Sequence, residues 1–269
     1  MKEENSRIEM VVFDWAGTTV DYGSSAPMEV FKMVFDEAGI SLTRNEINGP
    51  MGMEKKAHIR SLLSLDTAKI QWQNKYNRDW TEEDVEDLYV KFEEKLYEVV
   101  ASYSTPIDGV VETVNNLRKS GIKIGSTTGY NNRMMTKVIP PAKEQGYEPD
   151  CVVTPDITGM GRPTPFMLNE CMRVLKVYPP KKVVKVGDTI TDIHEGKNAG
   201  AWSIGILVGS NLLGLTKDEY ESISGAELDV LKDVTTKKYM EAGADMVIDN
   251  ITELPMAIEK INQIMANEE

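Results

Sequence analysis

The chain has 269 residues, 41% of them hydrophobic and 27% charged, with a formal net charge of −13, which allows one large domain or a core with a smaller insertion. The negative charge argues against non-specific binding to nucleic acid, and the lack of a long apolar run argues against a membrane-spanning helix. Cys151 and Cys171 are too few for a disulfide framework, and the first residues lack the pattern of a signal peptide, so we expect a cytoplasmic protein.

The first predicted element is a strand at residues 10–13, where four apolar residues follow one another. It ends at Asp14, which is followed by a small turn containing Gly17. In an open parallel sheet, chemistry takes place beyond the carboxyl ends of the strands. Asp14 is therefore a candidate nucleophile or metal ligand, although a lone Asp in this position can equally well do no more than begin the turn.

The next part of the chain has helical periodicity only. Apolar residues at helical spacing predict helices at 26–39, at about 53–65 and at about 81–101. We find no strand pattern between residues 21 and 103. The sequence therefore predicts an all-helical cap domain at 22–103, inserted into a core made of residues 1–21 and 104–269.

After residue 104, predicted strands and helices alternate. This pattern predicts an α/β core with a doubly wound parallel sheet, and a cap above the strand ends would make a cleft that can close. Residues 209–245 predict only one or two helices. The strands are expected at 122–127, 151–153, 183–186, 202–208 and 246–248, and the helices at 110–120, 165–175, 193–199 and 252–265.

Three later strand ends also carry polar residues suited to phosphate and metal chemistry. Thr128, followed by Gly129, can offer its hydroxyl and nearby N–H groups to an anionic oxygen. Arg162 stands just ahead of a predicted helix and can pair with a phosphoryl group or a carboxylate. Asp188 and Asp192 suit one direct metal ligand and one acid that orients it or pairs with a basic residue. Each turn alone is often structural, so it is their repetition that favours an active site.

With these motifs in order, the chain resembles the haloacid dehalogenase superfamily of phosphotransferases. The first motif of that superfamily, Asp-x-Asp-Gly-Thr, corresponds here to Asp14-Trp15-Ala16-Gly17-Thr18. The resemblance implies that Asp14 forms an aspartyl-phosphate and that Thr128 and Arg162 hold the phosphoryl oxygens. It also implies Mg²⁺ bound by Asp14, by Asp188 and by the backbone carbonyl of Ala16.

Ala16 departs from the superfamily pattern, in which the second acid protonates the leaving oxygen and later activates water. Alanine does neither. The chain is therefore an inactive homologue, a slow phosphatase, or an enzyme whose leaving group needs something other than a proton on oxygen.

The predicted cap favours the third explanation, because residues 49–60 resemble the cap of the phosphonatase family, the phosphonoacetaldehyde hydrolases. In that family a cap lysine forms a Schiff base with the substrate aldehyde, and the matching residue is Lys55. The sequence itself does not choose between Lys55 and Lys56, so the resemblance makes the choice. An imine accepts the electrons of a breaking phosphorus–carbon bond, which makes an acid at residue 16 unnecessary.

Three further residues have both a functional and a structural interpretation. His58 shares a helix face with Lys55 and either moves protons during imine formation or is a core histidine. Met51 either shields the site or packs in the core, and Tyr130 either orients the aldehyde or only packs.

The resemblance thus implies a Mg²⁺-dependent hydrolase that cleaves phosphonoacetaldehyde, a small-molecule phosphonate, in the breakdown of 2-aminoethylphosphonate. The alternatives are a phosphatase or phosphomutase of the same superfamily and a catalytically silent binding homologue. We expect no nucleic-acid or membrane partner. A homodimer is expected, because the helix that begins at Ala26 has enough apolar residues for both the cap core and a partner.

Overall fold

The protein is described by a computed structural model that covers residues 7–51 and 53–267. None of the helices within these ranges is long and apolar enough to span a membrane. In chain order, the strands and α-helices are β1 (Met10–Phe13), α1 (Ser25–Glu37), α2 (Arg44–Asn48), α3 (Lys55–Leu63), α4 (Asp66–Tyr76), α5 (Glu82–Val99), α6 (Val110–Lys119), β2 (Lys123–Thr127), α7 (Asn132–Glu144), β3 (Cys151–Val153), α8 (Pro155–Thr158), α9 (Phe166–Leu175), β4 (Val183–Gly187), α10 (Ile190–Ala199), β5 (Trp202–Ile206), α11 (Lys217–Ser222), α12 (Gly225–Glu241), β6 (Met246–Ile248) and α13 (Leu254–Asn267).

The six strands form one parallel sheet in the order β3-β2-β1-β4-β5-β6. The chain winds outward from β1 in one direction and then crosses back to continue from β4, so the order of strands reverses beside β1. Ligands of open α/β sheets bind at such a reversal point, beyond the carboxyl ends of the strands. The predicted α/β fold class is confirmed, and Asp14 lies at this point.

Helices α1 to α5 stand between β1 and β2 in the chain, and the described residues from 22 to 103 contain no strand. Helices α1 and α3 both pack on α5, with the rings of Phe31 and Phe92 stacked 4.1 Å apart. The predicted helical insertion is therefore present, whereas its exact bounds at 22 and 103 stay a prediction. Val20 and Pro106 form a β-bridge that joins the two chain crossings between insertion and core.

Helix α1 buries the apolar residues that suggested a dimer. Val30, Phe31, Val34 and Phe35 are all buried in the cap, and Met33 is the one large apolar side chain of α1 recorded as exposed, at 50%. The helix thus uses its apolar face inside the cap, so it does not by itself support an assembly of two copies.

The observed helices depart from the sequence pattern at some places and agree with it at others. Helix α7 was not predicted, and it contains Pro140 and Pro141. The segment at 209–245 contains both α11 and α12, the upper limit of the expectation. Helix α10 begins at Ile190 rather than at residue 193, because the Thr189 hydroxyl accepts a hydrogen bond from the Asp192 N–H and caps the helix there.

Candidate active site

Asp14 occupies the end of β1, where neighbouring strands finish level with it. Phe13 is in register with Ser126 of β2 and with Val186 of β4, and the Asp14 N–H donates to the Val186 carbonyl over 3.0 Å. Residues that follow these strands therefore lie side by side. In the turn after Asp14, Gly17 has φ +86°, and a Cβ there would stand 2.1 Å from Asp188 Oδ2, so a side chain at residue 17 would collide with that carboxylate.

Three buried carboxylates meet at this edge, those of Asp14, Asp188 and Asp192, with one oxygen of each within 4.8 Å of the others. Asp188 accepts hydrogen bonds from the Thr18 hydroxyl at 3.1 Å and from the Asn211 N–H at 2.9 Å. Burial, followed by the charge of Asp14, raises the pKa of Asp188 well above its usual value. Two adjacent buried carboxylates of this kind suit a hard divalent cation with oxygen ligands.

The carboxylate of Asp192, in contrast, forms ion pairs with basic side chains. Its Oδ1 lies 3.0 Å from Arg162 Nη1 and 2.9 Å from Lys185 Nζ. Burial works to raise the pKa of Asp192, but Arg162 and Lys185 outweigh it and lower the pKa below its ordinary value. The arrangement fits the second of the two roles expected for the acid pair, that of pairing with basic residues.

Arg162 bridges the sheet edge to Asp14. Its Nη2 donates to Asp14 Oδ1 over 2.6 Å, and the Arg162 side chain is 1% exposed. Burial works to lower the pKa of Arg162, but Asp14, Asp192 and Glu195 raise it above its ordinary value. The guanidinium therefore stays charged beside Asp14, as a group that binds a phosphoryl oxygen must.

The turn after β2 brings Thr128, Gly129 and Tyr130 to the same cavity as Asp14. The Tyr130 N–H donates to Thr128 Oγ1 over 3.1 Å, which fixes the turn. The Tyr130 hydroxyl is buried and has no hydrogen-bond partner. A buried hydroxyl without a partner is costly, so it is available to a bound ligand.

Lys55 is the first residue of α3, whose start is capped by Glu54 through the N–H groups of Lys56 and Ala57. Its amine lies 5.6 Å from the Tyr130 ring centre and 5.7 Å from that of Phe31. Burial lowers the pKa of Lys55 to about 8, against the opposing effect of Asp14. The positive end of the helix dipole also disfavours an ammonium group at this position.

Lys56, the alternative that the sequence left open, is in a different environment. Its side chain is 39% exposed, and its amine pairs with Glu86 Oε2 at 2.8 Å. Lys55, in contrast, is 5% exposed and lines the cavity with Asp14. The burial of the two lysines thus favours Lys55.

One small cavity collects most of the predicted site residues. Its free space is about 20 Å³, room for a water molecule. His58 does not line this cavity: its Nε2 lies 2.8 Å from the Ile47 carbonyl, its ring centre lies 4.0 Å from that of Phe31, and its Nδ1 has no partner. The lining comprises Asp14, Ala16, Ser24, Pro27, Met51, Lys55, Thr128, Gly129, Tyr130, Arg162 and Thr189.

Sequence reasoning missed several residues at this site. Ser24 is buried, and its hydroxyl donates to the Ala16 carbonyl over 2.9 Å, the carbonyl that was expected to bind metal. Glu195 pairs with Arg162, and Lys185 pairs with Asp192, which is itself a partner of Arg162. A lysine within a strand of valines was the one available signal, because lysine is rarely buried without a partner.

Comparisons with known proteins agree with this fold. A family model described as haloacid dehalogenase-like hydrolase matches residues 8–200. A 19% identical hydrolase from Pseudomonas syringae has the same fold, with a TM-score of 0.68 over 94% of this chain and 99% of that one. The chain therefore belongs to the haloacid dehalogenase-like hydrolases, as the resemblance predicted.

Within these hydrolases, the chain belongs to the phosphonoacetaldehyde hydrolase family. It is 48% identical to a phosphonoacetaldehyde hydrolase of Bacillus cytotoxicus over 257 residues, which cover 96% of this chain and 97% of that protein. A phosphonoacetaldehyde hydrolase-like protein from Oleispira antarctica has a TM-score of 0.95 and 35% identity, with coverage of 97% and 95% of the two chains. A bifunctional phosphonoacetaldehyde hydrolase/aminoethylphosphonate transaminase of Clostridioides difficile is 48% identical over 95% of this chain and 40% of that protein.

Proposed function

We propose that this protein hydrolyses the phosphorus–carbon bond of phosphonoacetaldehyde, giving acetaldehyde and phosphate. The observation that carries the proposal is the placement of a buried amine, Lys55, and a buried carboxylate, Asp14, on the walls of one cavity. The amine comes from the helical insertion and the carboxylate from the sheet. With a pKa of about 8, Lys55 is neutral in a useful fraction of molecules near neutral pH, as attack on an aldehyde requires.

The reaction begins on the carbon side. The neutral Lys55 amine adds to the aldehyde carbon to give a carbinolamine, and uptake of one proton from solvent with loss of water gives an iminium ion. An Asp14 oxygen then attacks phosphorus, and the phosphorus–carbon electron pair moves into the iminium to leave a neutral enamine on Lys55. Protonation of the enamine carbon and hydrolysis release acetaldehyde and free Lys55, while water cleaves the aspartyl-phosphate to phosphate and Asp14. Because no oxygen leaves as an alkoxide, Ala16 is compatible with this route.

The remaining side chains have supporting roles in this proposal. Thr128, Gly129 and Arg162 hold the phosphonate oxygens, and Asp192 orients Arg162. The unpartnered Tyr130 hydroxyl binds the aldehyde side.

Two cap residues complete the set. Burial, followed by the charge of Lys55, keeps the pKa of His58 well below its usual value, so the ring is neutral. Of its two predicted roles, its contacts with the Ile47 carbonyl and the Phe31 ring support that of a core histidine. Met51 is 4% exposed and shields the cavity. We take the cap as residues 22–103 and the core as 1–21 and 104–269.

Mg²⁺ is the proposed cofactor, held by Asp14, Asp188 and the Ala16 carbonyl, and when bound it neutralises phosphoryl oxygens. We expect chelation of the metal to abolish turnover. Added Mg²⁺ should raise the melting temperature, because a Mg²⁺ concentration one hundred times Kd adds about 2.7 kcal/mol to the free energy of unfolding. In Asp188→Asn the thermal response to Mg²⁺ should vanish. A variant with an unchanged Mg²⁺ response would contradict the assignment of Asp188 as a ligand.

Borohydride trapping tests the function itself. Incubation with phosphonoacetaldehyde and borohydride should attach a two-carbon fragment to Lys55, identified by peptide mass spectrometry. Because the neutral amine reacts, the labelling rate should rise with pH through about 8 and then level off. Turnover of phosphate esters without labelling would reject the proposal in favour of a phosphatase or phosphomutase, and no turnover of either substrate would indicate a silent homologue.

The proposed substrate places the protein after a transamination. The Clostridioides difficile relative is a bifunctional phosphonoacetaldehyde hydrolase/aminoethylphosphonate transaminase. We therefore propose that this enzyme consumes the aldehyde formed from 2-aminoethylphosphonate.

We also propose a homodimer, to be measured by sedimentation velocity. Its support is the exposure of three large apolar side chains in the stretch from α8 to the start of α9, namely Ile157, Met160 and Phe166. A monomer at micromolar concentration would contradict it.

A further inference from the structure

Behind the catalytic cavity, four charged side chains form a buried group that we call the arginine cluster: Arg162, Lys185, Asp192 and Glu195. Arg162 Nε lies 3.1 Å from Glu195 Oε2 and Arg162 Nη1 lies 3.0 Å from Asp192 Oδ1. Lys185 Nζ lies 2.9 Å from Asp192 Oδ1 and 3.3 Å from Glu195 Oε2. Each of these side chains is at most 1% exposed.

Thr127, the last residue of β2, joins the arginine cluster to the phosphate-binding turn. Its hydroxyl donates to Glu195 Oε2 over 2.9 Å and accepts from Lys185 Nζ and from Arg162 Nη2, both at 3.0 Å. Its carbonyl accepts from Arg162 Nη2 at 2.7 Å. The next residue is Thr128, so the position of Arg162 is tied to the turn expected to hold the same phosphoryl group.

The charges of the arginine cluster balance. Arg162 and Lys185 carry two positive charges, and Asp192 and Glu195 carry two negative ones. Without Lys185, the guanidinium would face both of these carboxylates and Asp14 alone. With Lys185 present, both carboxylates share their charge with a second cation, so the edge of Arg162 that faces Asp14 keeps its positive potential.

Fold stability is a poor explanation for this arrangement. A buried ion network seldom stabilises a protein more than apolar side chains of the same size would. Lys185 lies in the middle of β4 between Val184 and Val186, and all three are buried. An apolar residue at 185 would suit the strand at least as well, which points to a role in the reaction.

We infer that Lys185 and Glu195 are positioning residues for Arg162, an inference that rests on the proposed function. Glu195 and Asp192 fix the Nε and Nη1 sides of the guanidinium plane. Only Nη2 is then directed at Asp14 Oδ1, 2.6 Å away, where the phosphoryl group is transferred. Lys185 maintains the charge balance that leaves this edge positive.

The test compares Glu195→Gln, Lys185→Met and the double variant, all loaded with Mg²⁺. We expect each single change to lower kcat/KM by about 10- to 100-fold, the effect of one charge-assisted hydrogen bond. The double variant restores neutrality, so it should be less impaired than Lys185→Met alone. Lys197→Met is the matched control, because Lys197 is on the same helix as Glu195 and pairs with Asp245 at 2.8 Å near the surface.

Two binding measurements separate positioning from a structural role. Calorimetry should show that both single variants bind inorganic phosphate more weakly than the wild type does. Lys197→Met should bind phosphate as tightly as the wild type. Borohydride trapping of acetaldehyde at Lys55, which involves no phosphorus, should be unchanged. If phosphate binding, trapping and the melting temperature all decreased together in the single variants, the role would be structural and the inference would be wrong. The inference would also be wrong if Glu195→Gln had the phosphate affinity and the kcat/KM of the wild type.

These outcomes are distinguishable from failure of the proposed function. If the wild type neither cleaves phosphonoacetaldehyde nor is labelled at Lys55, the function is wrong, and calorimetry with phosphate still tests the arginine cluster. If Lys185→Met does not fold, Glu195→Gln decides alone.

Discussion

Replacing Lys55 by methionine is expected to lower kcat for phosphonoacetaldehyde by at least about 10³-fold, because methionine cannot form an imine. The same variant should unfold at a higher temperature than the wild type at pH 7. Lys55 is 5% exposed, and a buried ammonium group is costly. Loss of activity together with a gain in stability is the expected result for a catalytic lysine held in an apolar site.

The sign of the stability effect follows from the pKa of Lys55. Burial lowers it from 10.5 to about 8 in the folded protein, so well below pH 8 the amine is charged in both states and the folded protein bears the full cost of burying the charge. That cost decreases as pH rises from 8 to 10.5 and is absent above. The shift corresponds to at most about 3 kcal/mol, and we expect a gain of roughly 1–3 kcal/mol for the variant at pH 7.

Lys56→Met is the control for this experiment, because Lys56 is half-exposed and paired with Glu86. It should keep both turnover and borohydride labelling, and its stability should change by less than about 1 kcal/mol. Unfolding in urea at pH 7 and at pH 10 measures the effect, and the gain for Lys55→Met should be smaller at pH 10. Substantial turnover by Lys55→Met would rule out the covalent role.

Much of the core could be predicted from the sequence because its signals are local. A run of apolar residues ends at Asp14, and Thr128 and Asp188 directly follow two later strands, whereas Arg162, predicted to stand at a strand end, comes after α8. Since parallel strands end at one edge of a sheet, these positions imply a common site. The order of the strands in the sheet could not be predicted, because hydrophobic periodicity identifies a strand but does not show which strands pair with it.

Other features depend on tertiary contacts that local patterns do not contain. Helix α7 continues through Pro140 and Pro141, two residues that normally interrupt helices, because Met134, Met135 and Val138 bury one face of it. The environments of Lys55 and Lys56 differ only through what packs around α3. Lys185 and Glu195 are distant in sequence from Arg162, and only the fold brings the three together.

Replacing Asp14 by asparagine is expected to lower kcat by at least about 10³-fold as well, but to leave the carbon side of the reaction intact. Asparagine has the same shape and lacks the charge needed to attack phosphorus. Imine formation requires Lys55 and the aldehyde only, so borohydride should still label Lys55. The attached fragment should then retain phosphorus, whereas the wild type should yield the phosphorus-free ethyl group after bond cleavage.

Asp150→Asn is a suitable control for this prediction. Asp150 stands at the amino end of β3, where its carboxylate accepts the Ile124 N–H at 2.7 Å and pairs with Arg118 at 3.0 Å, at the opposite edge of the sheet from Asp14. This variant should keep normal turnover and give the phosphorus-free fragment. If Asp14→Asn also lost phosphorus from its trapped fragment, another group would have to be the nucleophile. If it were not labelled at all, the two halves of the reaction would not be separable between the insertion and the sheet.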